Sequence, residues 1–261
     1  MLSPFYFGTN LKMNQTPAET RAFISHIIAA FPALQFPISP QLWVIPSFTN
    51  IAAVADVCAQ HHIWLGAQNM HWADDGAFTG EISPVQLKAV GATLVMLGHA
   101  ERRTLFGETD EALNKKVLAA AKHGLRILLC VGETAHEKQL GTGNAYVTRQ
   151  LTQALAGLSD SQSLVILYEP VWSVGISGIP ADPASVTTAL ANIRHTLQNL
   201  FAEAGTHVPI LYGGSVNADN CANYAHLPNC AGLGVGRAAW QADDFLNVLK
   251  RSVKIDDDKS S

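Results

Sequence analysis

Short apolar segments recur along the chain and alternate with longer segments of mixed polarity. Each apolar segment is four to six residues long with few polar residues, a pattern typical of strands that are buried on both faces. From this pattern we predict eight strands, at residues 4–9, 42–45, 63–67, 93–97, 126–131, 164–168, 209–212 and 232–235.

The segments between these strands carry helix signals. Pro17 after Thr16, for example, is typical of a helix that begins at the proline and is capped by the threonine. The predicted helices cover residues 17–31, 50–61, 84–90, 110–123, 144–158, 183–204, 218–224 and 242–250. Strands and helices that alternate in this way predict an α/β fold, a single (β/α)8 barrel. An open doubly wound sheet is the alternative, although no G-x-G-x-x-G motif opens a helix.

The composition is that of a globular protein. The chain has 261 residues, of which 48% are hydrophobic and 15% charged. We expect one domain over residues 1–254 and a flexible acidic tail over residues 255–261. The net charge of −4 provides no bulk attraction for nucleic acid or anionic lipid, and no apolar segment has transmembrane length. Four cysteines without a C-x-x-C pair, together with the absence of a signal peptide, favour a cytoplasmic protein.

A single carboxylate, Glu169, ends the sixth predicted strand and is followed at once by Pro170. In a barrel the catalytic groups come from the carboxyl ends of the strands. The small residues that follow, Gly175 and Gly178 among them, favour a loop with hinges that closes as a lid. A structural glutamate that caps a nearby helix is the alternative interpretation.

Two other strand ends carry charged or titratable side chains. Lys12 follows the first strand, and His99, Glu101 and Arg102 follow the fourth. A lone lysine is most often a surface residue, and the cluster after strand four could be a structural ion-pair network. Because these residues share the predicted rim with Glu169, we interpret Lys12 and His99 as candidates for catalysis.

Glycine-rich turns follow the seventh and eighth strands. They contain Gly213, Gly214 and Ser215 in one case, and Gly236 with Arg237 in the other. Glycine lets a backbone approach a ligand closely, and N–H groups at a helix start bind anions. Since a phosphate site after strands seven and eight recurs in barrels, we predict one here.

These segments together resemble the triosephosphate isomerase family over nearly the whole chain. The resemblance rests on NLKMN at residues 10–14, GAQN at 66–69, GAFTGEIS at 76–83, LGHAERR and FGET within 97–109, CVGE at 130–133, YEPVW at 168–172 and LYGGSV at 211–216. It implies a (β/α)8 barrel that isomerises a small phosphorylated sugar through an enediolate, without metal or organic cofactor.

The resemblance also implies a role for each candidate. Glu169 would be the base, His99 a neutral hydrogen-bond donor, and Lys12 a positive charge that offsets the phosphate and enediolate. Asn10 would position the substrate oxygens, and Glu101 would support Lys12. The phosphate-binding set would comprise Gly175, Gly213, Gly214, Ser215, Gly236 and Arg237. The resemblance further implies a homodimer whose interface includes Phe78, Thr79, Gly80, Glu81 and Arg102.

Several positions differ from the usual pattern of this family. Leu11 replaces a tryptophan, which we interpret as extra room beside Asn10 and Lys12. Ala100 replaces a serine, and Arg237 replaces a glycine. The lid, residues 175–181, reads GISGIPA and resembles a divergent branch that includes isomerases of four-carbon ketose phosphates. We expect interconversion of glyceraldehyde 3-phosphate and dihydroxyacetone phosphate, with erythrulose 1-phosphate isomerisation as the alternative. A non-catalytic barrel that binds phosphorylated metabolites is a third hypothesis, disfavoured because a binder needs no base.

Overall fold

The structure, a computed structural model, describes residues 4–175 and 178–253. The predicted acidic tail and two residues of the predicted lid, Ile176 and Ser177, lie outside the described residues. None of the helices in the described ranges is both long enough and apolar enough to cross a bilayer.

Eight parallel strands form a closed barrel, which confirms the predicted (β/α)8 fold. Each strand pairs with the next in the chain, and β8 pairs with β1 to close the sheet. The strands are β1 Tyr6–Asn10, β2 Gln41–Ile45, β3 Trp64–Ala67, β4 Leu94–Leu97, β5 Arg126–Val131, β6 Leu164–Tyr168, β7 Ile210–Tyr212 and β8 Gly232–Val235. Closure brings all eight carboxyl ends to one rim.

Helices follow the strands around the outside of the barrel. They are α1 Pro17–Ala30, α2 Phe48–Gln60, α3 Pro84–Ala89, α4 Ala100–Leu105, α5 Asp110–Lys122, α6 Ala135–Gln139, α7 Gly143–Ala154, α8 Pro183–Phe201, α9 Glu203–His207, α10 Cys221–Ala225 and α11 Ala242–Ser252. The predicted start of α1 is confirmed: Thr16 caps it through a capping box with Glu19, and Pro17 is its first residue.

Two short helices, α4 and α6, were missed by the sequence analysis. They have six and five residues, and unlike α3, which is as short, neither begins at a proline. The helix predicted over residues 183–204 ends earlier, at Phe201, because Ala202 adopts a φ of 51° and reverses the chain into α9. Close packing of the two helices requires Gly205, since a Cβ there would lie 2.1 Å from the Leu197 carbonyl oxygen.

Side chains alternate between the two faces of the sheet, so the barrel has two cores. On β2, Trp43 and Ile45 point into the barrel, whereas Leu42 and Val44 pack beneath the helices. Both faces are therefore apolar, which explains the unbroken hydrophobic runs in the sequence. The inner core fills the barrel below its rim, and the polar side chains that follow the strands lie at the rim.

A large indole in the inner core is accommodated by a glycine on the neighbouring strand. Trp43 is 2% exposed. A Cβ added to Gly8 would lie 2.1 Å from the Trp43 carbonyl oxygen and 2.2 Å from its ring. The approach of β1 to β2 at this level therefore depends on the absence of a side chain at position 8.

We expect Gly8→Ala to destabilise the barrel, because neither the strand backbone nor the buried indole can move away. Overpacking of this kind costs about 1–3 kcal/mol. In a domain of this size that lowers the Tm by roughly 2–10 °C, measurable by circular dichroism. Gly124→Asn is the control: Gly124 has open space around it and a φ of 64°, which asparagine tolerates. Equal Tm values for Gly8→Ala and the wild type would contradict this packing argument.

Candidate active site

Lys12 is held at the rim in an uncommon backbone conformation. Its φ is 53°, in the left-handed region that a lysine rarely adopts. The side-chain oxygen of Asn10 accepts from the Lys12 N–H at 2.9 Å, and Gln68 Nε2 donates to the Lys12 carbonyl oxygen at 2.6 Å. These hydrogen bonds from β1 and from the end of β3 stabilise the strained turn.

The Lys12 ammonium group pairs with a carboxylate from another strand end. Lys12 Nζ lies 2.5 Å from Glu101 Oε1, in the first turn of α4. The side chain of Glu101 is 41% exposed, and its other oxygen lies 3.6 Å from His99 Nδ1. Glu101 therefore joins the β1 and β4 ends of the rim.

His99 caps the N-terminus of α4 through its ring. Nδ1 accepts a hydrogen bond from the Glu101 N–H at 3.2 Å. An acceptor nitrogen carries no proton, so the neutral ring carries its hydrogen on Nε2. Nε2 lies 3.4 Å from Glu169 Oε2, and His99 is buried. The ring thus presents a donor toward the centre of the rim.

The Glu169 carboxylate is buried beside this donor. The residue is 3% exposed, and its Oε1 accepts from the Ala100 N–H at 2.8 Å. Ala100 provides only a backbone donor here, since it has no hydroxyl group. The thiol of Cys130 is close by, and burial together with the Glu169 charge raises its pKa well above the ordinary value. The thiol therefore stays protonated.

A second carboxylate, Glu133, holds the start of the loop that connects β6 to α8. Trp172 Nε1 donates to Glu133 Oε1 at 2.8 Å, and the Tyr168 hydroxyl group donates to Oε2 at 3.0 Å. The Lys138 ammonium nitrogen lies 3.2 Å from the centroid of the Trp172 ring. The sequence analysis did not single out Glu133, although its place after the fifth strand was a usable signal.

The predicted phosphate-binding residues follow β6, β7 and β8 at the rim. The Gly213 N–H, at the end of β7, donates to the Tyr168 carbonyl oxygen at the end of β6 at 2.8 Å. The Ser215 N–H donates to the Ser173 carbonyl oxygen at 3.0 Å, and so contacts the β6–α8 loop. Gly236 precedes the 3-10 turn Arg237–Ala239, whose first N–H groups have no partner inside the turn.

Two features near Asn10 differ from what the sequence suggested. Leu11 was interpreted as extra room beside Asn10 and Lys12, which was wrong. Its side chain is fully buried in the outer core, below the helices. Trp240, which was not singled out, donates through Nε1 to the Asn10 carbonyl oxygen at 3.0 Å and ties the turn after β8 to β1.

The family profile described as triosephosphate isomerase matches residues 5–252. The chain belongs to the triosephosphate isomerase family. A crystal structure of triosephosphate isomerase from Bartonella henselae is similar at a TM-score of 0.87, with 32% sequence identity, and covers 97% of this chain and 100% of that one.

Other relatives in the family carry a different name. L-erythrulose-1-phosphate isomerase of Rhizobium rhizogenes (strain K84) is 41% identical over 250 residues, 95% of this chain and 94% of its own. The protein of that name from Brucella abortus biovar 1 (strain 9-941) is 42% identical over 253 residues, 96% of this chain and 97% of its own.

These relatives correct the leading expectation about the substrate. An isomerase of glyceraldehyde 3-phosphate and dihydroxyacetone phosphate was expected first, and that expectation was wrong. It followed the commonest activity of the family, whereas relatives that match nearly the whole chain are named for a four-carbon ketose phosphate. The membership in an isomerase family is unaffected by this correction.

The predicted interface residues of this family member lie at the surface beside the rim. Phe78 is 45% exposed, and its ring packs on the His71 ring at 4.1 Å. Its neighbours Thr79, Gly80 and Glu81 are exposed as well. Arg102 lies in α4, and its guanidinium carbon lies 5.1 Å from the centroid of the Phe106 ring. All of these residues belong to two rim segments, the β3–α3 loop and α4.

Proposed function

We propose that this protein isomerises L-erythrulose 1-phosphate. The observation that carries the proposal is the 41–42% identity to relatives of that name over at least 94% of both chains. The rim supports it, because a buried carboxylate, an imidazole donor and a lysine converge there. These groups are what proton transfer next to a carbonyl requires.

The structure of the substrate decides which proton moves. In L-erythrulose 1-phosphate, C1 carries the phosphate, C2 is the carbonyl carbon, and C3 and C4 carry hydroxyl groups. The carbonyl cannot move to C1, because C1 bears a phosphate ester in place of a free hydroxyl group. Isomerisation therefore removes a proton from C3 and returns one to C2, so the product is erythrulose 4-phosphate. Substrate and product are both ketoses, and no aldehyde forms.

Each rim residue has a part in this proposed reaction. Glu169 takes the C3 proton and delivers it to C2. His99 Nε2–H donates to the oxygens of the enediolate in turn, and Asn10 positions them. The Lys12 ammonium group, held by Glu101, offsets the negative charge that develops. Preorganised donors in a buried site stabilise such a charge far more than water does.

The phosphate would bind across the rim from Glu169. We assign it to the backbone N–H groups of Gly175, Ser215, Gly236 and Arg237, with Gly213 and Gly214 shaping the turn. Since the Ser215 N–H is bonded to Ser173 in this structure, phosphate binding would include an exchange of that hydrogen bond. The reaction itself needs neither a metal nor an organic cofactor, because the carbonyl acidifies the adjacent C–H bond.

Turnover of two substrates tests the proposal. We expect kcat/KM for L-erythrulose 1-phosphate to exceed that for dihydroxyacetone phosphate by about tenfold or more, the range that one extra carbon provides. Proton NMR in D2O should show a ketose product and deuterium at the exchanged carbon. An equal or higher kcat/KM for dihydroxyacetone phosphate would overturn the substrate assignment. Absence of turnover with both would favour the non-catalytic barrel.

We expect Glu169→Gln to bind the substrate but to lose at least about 10²-fold in kcat, because an amide cannot accept the C3 proton. Binding is followed by protection from thermal unfolding, which depends on affinity and not on chemistry. Glu203→Gln, a change on the outer helix α9, is the matched control and should leave kcat unchanged. A near-normal kcat in Glu169→Gln would exclude Glu169 as the base.

We infer that the protein is a homodimer, on the evidence of apolar side chains exposed around the rim. Met13, directly after Lys12, is 94% exposed, and Leu105 and Phe106 at the end of α4 are 73% and 68% exposed. With Phe78, they are four large apolar side chains exposed on segments of the same rim, and a monomer rarely leaves so many apolar groups in water if they are contiguous. In the proposed dimer Phe78 enters the partner subunit near its rim, as the family resemblance suggests.

We expect Phe78→Asp to weaken the dimer and to lower activity with it, because a charge would be buried in the interface. Sedimentation velocity across a concentration series measures the first effect, and kcat/KM the second. Ile38→Asp is the control, since Ile38 has a similar exposure of 41% and precedes β2 at the opposite end of the barrel. A Phe78→Asp variant that remains dimeric and fully active would disprove the role of this loop.

A further inference from the structure

The β6–α8 loop, residues 169–182, is attached to the barrel at its C-terminal end through one buried residue. Ala181 is 3% exposed. The next residue, Asp182, caps α8 by accepting from the Ser185 N–H at 3.0 Å, and Pro183 begins the helix. Ala181 is therefore the point at which the loop changes into a rigid element.

A tyrosine from α10 fixes this point. The Tyr224 hydroxyl group donates to the Ala181 carbonyl oxygen at 2.7 Å, and Tyr224 is 2% exposed. Without that donor the carbonyl would be buried and unsatisfied, which is costly. The Tyr224 ring packs on the Tyr212 ring at 4.5 Å, which places the hydroxyl group independently of the loop.

The N-terminal part of the same loop is held next to this tyrosine pair. The Ser215 hydroxyl group donates to the Ser173 carbonyl oxygen at 2.6 Å. Gly178, from the C-terminal part of the loop, packs directly against this contact. A Cβ added at Gly178 would lie 2.5 Å from that carbonyl oxygen and 2.7 Å from Ser215 Oγ. The described residues at both ends of the loop thus meet beside the proposed phosphate subsite.

We propose that Tyr224 is a positioning residue that holds the C-terminal end of the β6–α8 loop over the phosphate. It touches neither the substrate nor the reacting atoms, and acts through the Ala181 carbonyl. Its effect on catalysis rests on the proposed function of the site. Its effect on the loop does not, because the hydrogen bond is present in the free protein.

The chemistry of the enediolate provides a specific readout. When the negative charge is on the C3 oxygen, its electron pair can re-form the C3 carbonyl while the C2–C3 double bond shifts to C1–C2. The C1–O bond breaks in the same step, and inorganic phosphate leaves with that bonding pair. The remaining enol takes a proton at C1 and becomes 1-hydroxybutane-2,3-dione. A loop that keeps the phosphate in the plane of the enediolate disfavours this elimination.

Tyr224→Phe removes the hydroxyl group and keeps the ring stack. We expect the ratio of phosphate released to ketose isomerised to rise about 2- to 10-fold, the effect of one hydrogen bond on a conformational equilibrium. This ratio is independent of the amount of folded enzyme, so a loss of stability alone would not change it. Tyr146→Phe on α7 is the matched control and should leave the ratio at the wild-type value. An unchanged ratio in Tyr224→Phe would overturn the proposal.

Hydrogen exchange measured by mass spectrometry tests the loop without any substrate. Peptides that cover residues 178–182 should exchange faster in Tyr224→Phe than in the wild type, and Tyr146→Phe should match the wild type. If the wild type turns over neither sugar phosphate, the proposed function fails while this comparison still decides the role of Tyr224. Equal exchange in both variants would refute that role.

Discussion

A buried carboxylate is the constraint on which the rim of this barrel depends. Glu169 is almost fully removed from solvent, and a charge in that position needs fixed hydrogen-bond donors. Its donor is the Ala100 N–H, with His99 Nε2 beside it, and both belong to the end of β4. Since β5 separates β4 from β6, the carboxylate and its partners meet only across the end of that strand. The meeting of these groups therefore depends on the neighbouring positions of β4, β5 and β6 in the barrel.

The backbone of Lys12, at the end of β1, is also fixed by hydrogen bonds. Its left-handed backbone persists because Asn10 and Gln68 satisfy the N–H and carbonyl groups of the turn. Trp240 fixes the same strand end from the turn after β8, where phosphate binding is proposed. Lys12, Asn10 and the turn that is proposed to bind phosphate are thus parts of one hydrogen-bonded arrangement.

In the proposed reaction, mechanism and substrate choice depend on different parts of the site. The atoms that exchange a proton are the same in three- and four-carbon substrates, so the groups around them are the same too. The extra hydroxymethyl group changes only the space that the site must provide, and such differences are small in free energy. That is why motifs at the strand ends predicted the isomerase family, whereas the preferred substrate was predicted wrongly. The misplaced interpretation of Leu11 has the same origin, because a motif does not tell on which face of the sheet a side chain lies.

The sequence by itself determined the elements of the barrel and the residues at its strand ends. Unbroken apolar runs are what strands with two buried faces require, and β5, β6 and β8 begin and end at the residues predicted. It also indicated Lys12, His99 and Glu169 as candidates, because a charged or titratable side chain shortly after such a run lies at the rim formed by the strand ends. Only the tertiary structure decided which groups meet. Glu169 accepts from the Ala100 N–H and lies beside His99 Nε2, both about seventy positions earlier in the chain, and the β6–α8 loop is attached by a tyrosine more than forty positions further along. Contacts of this kind join segments that no local pattern relates, so they exist only once the barrel has closed.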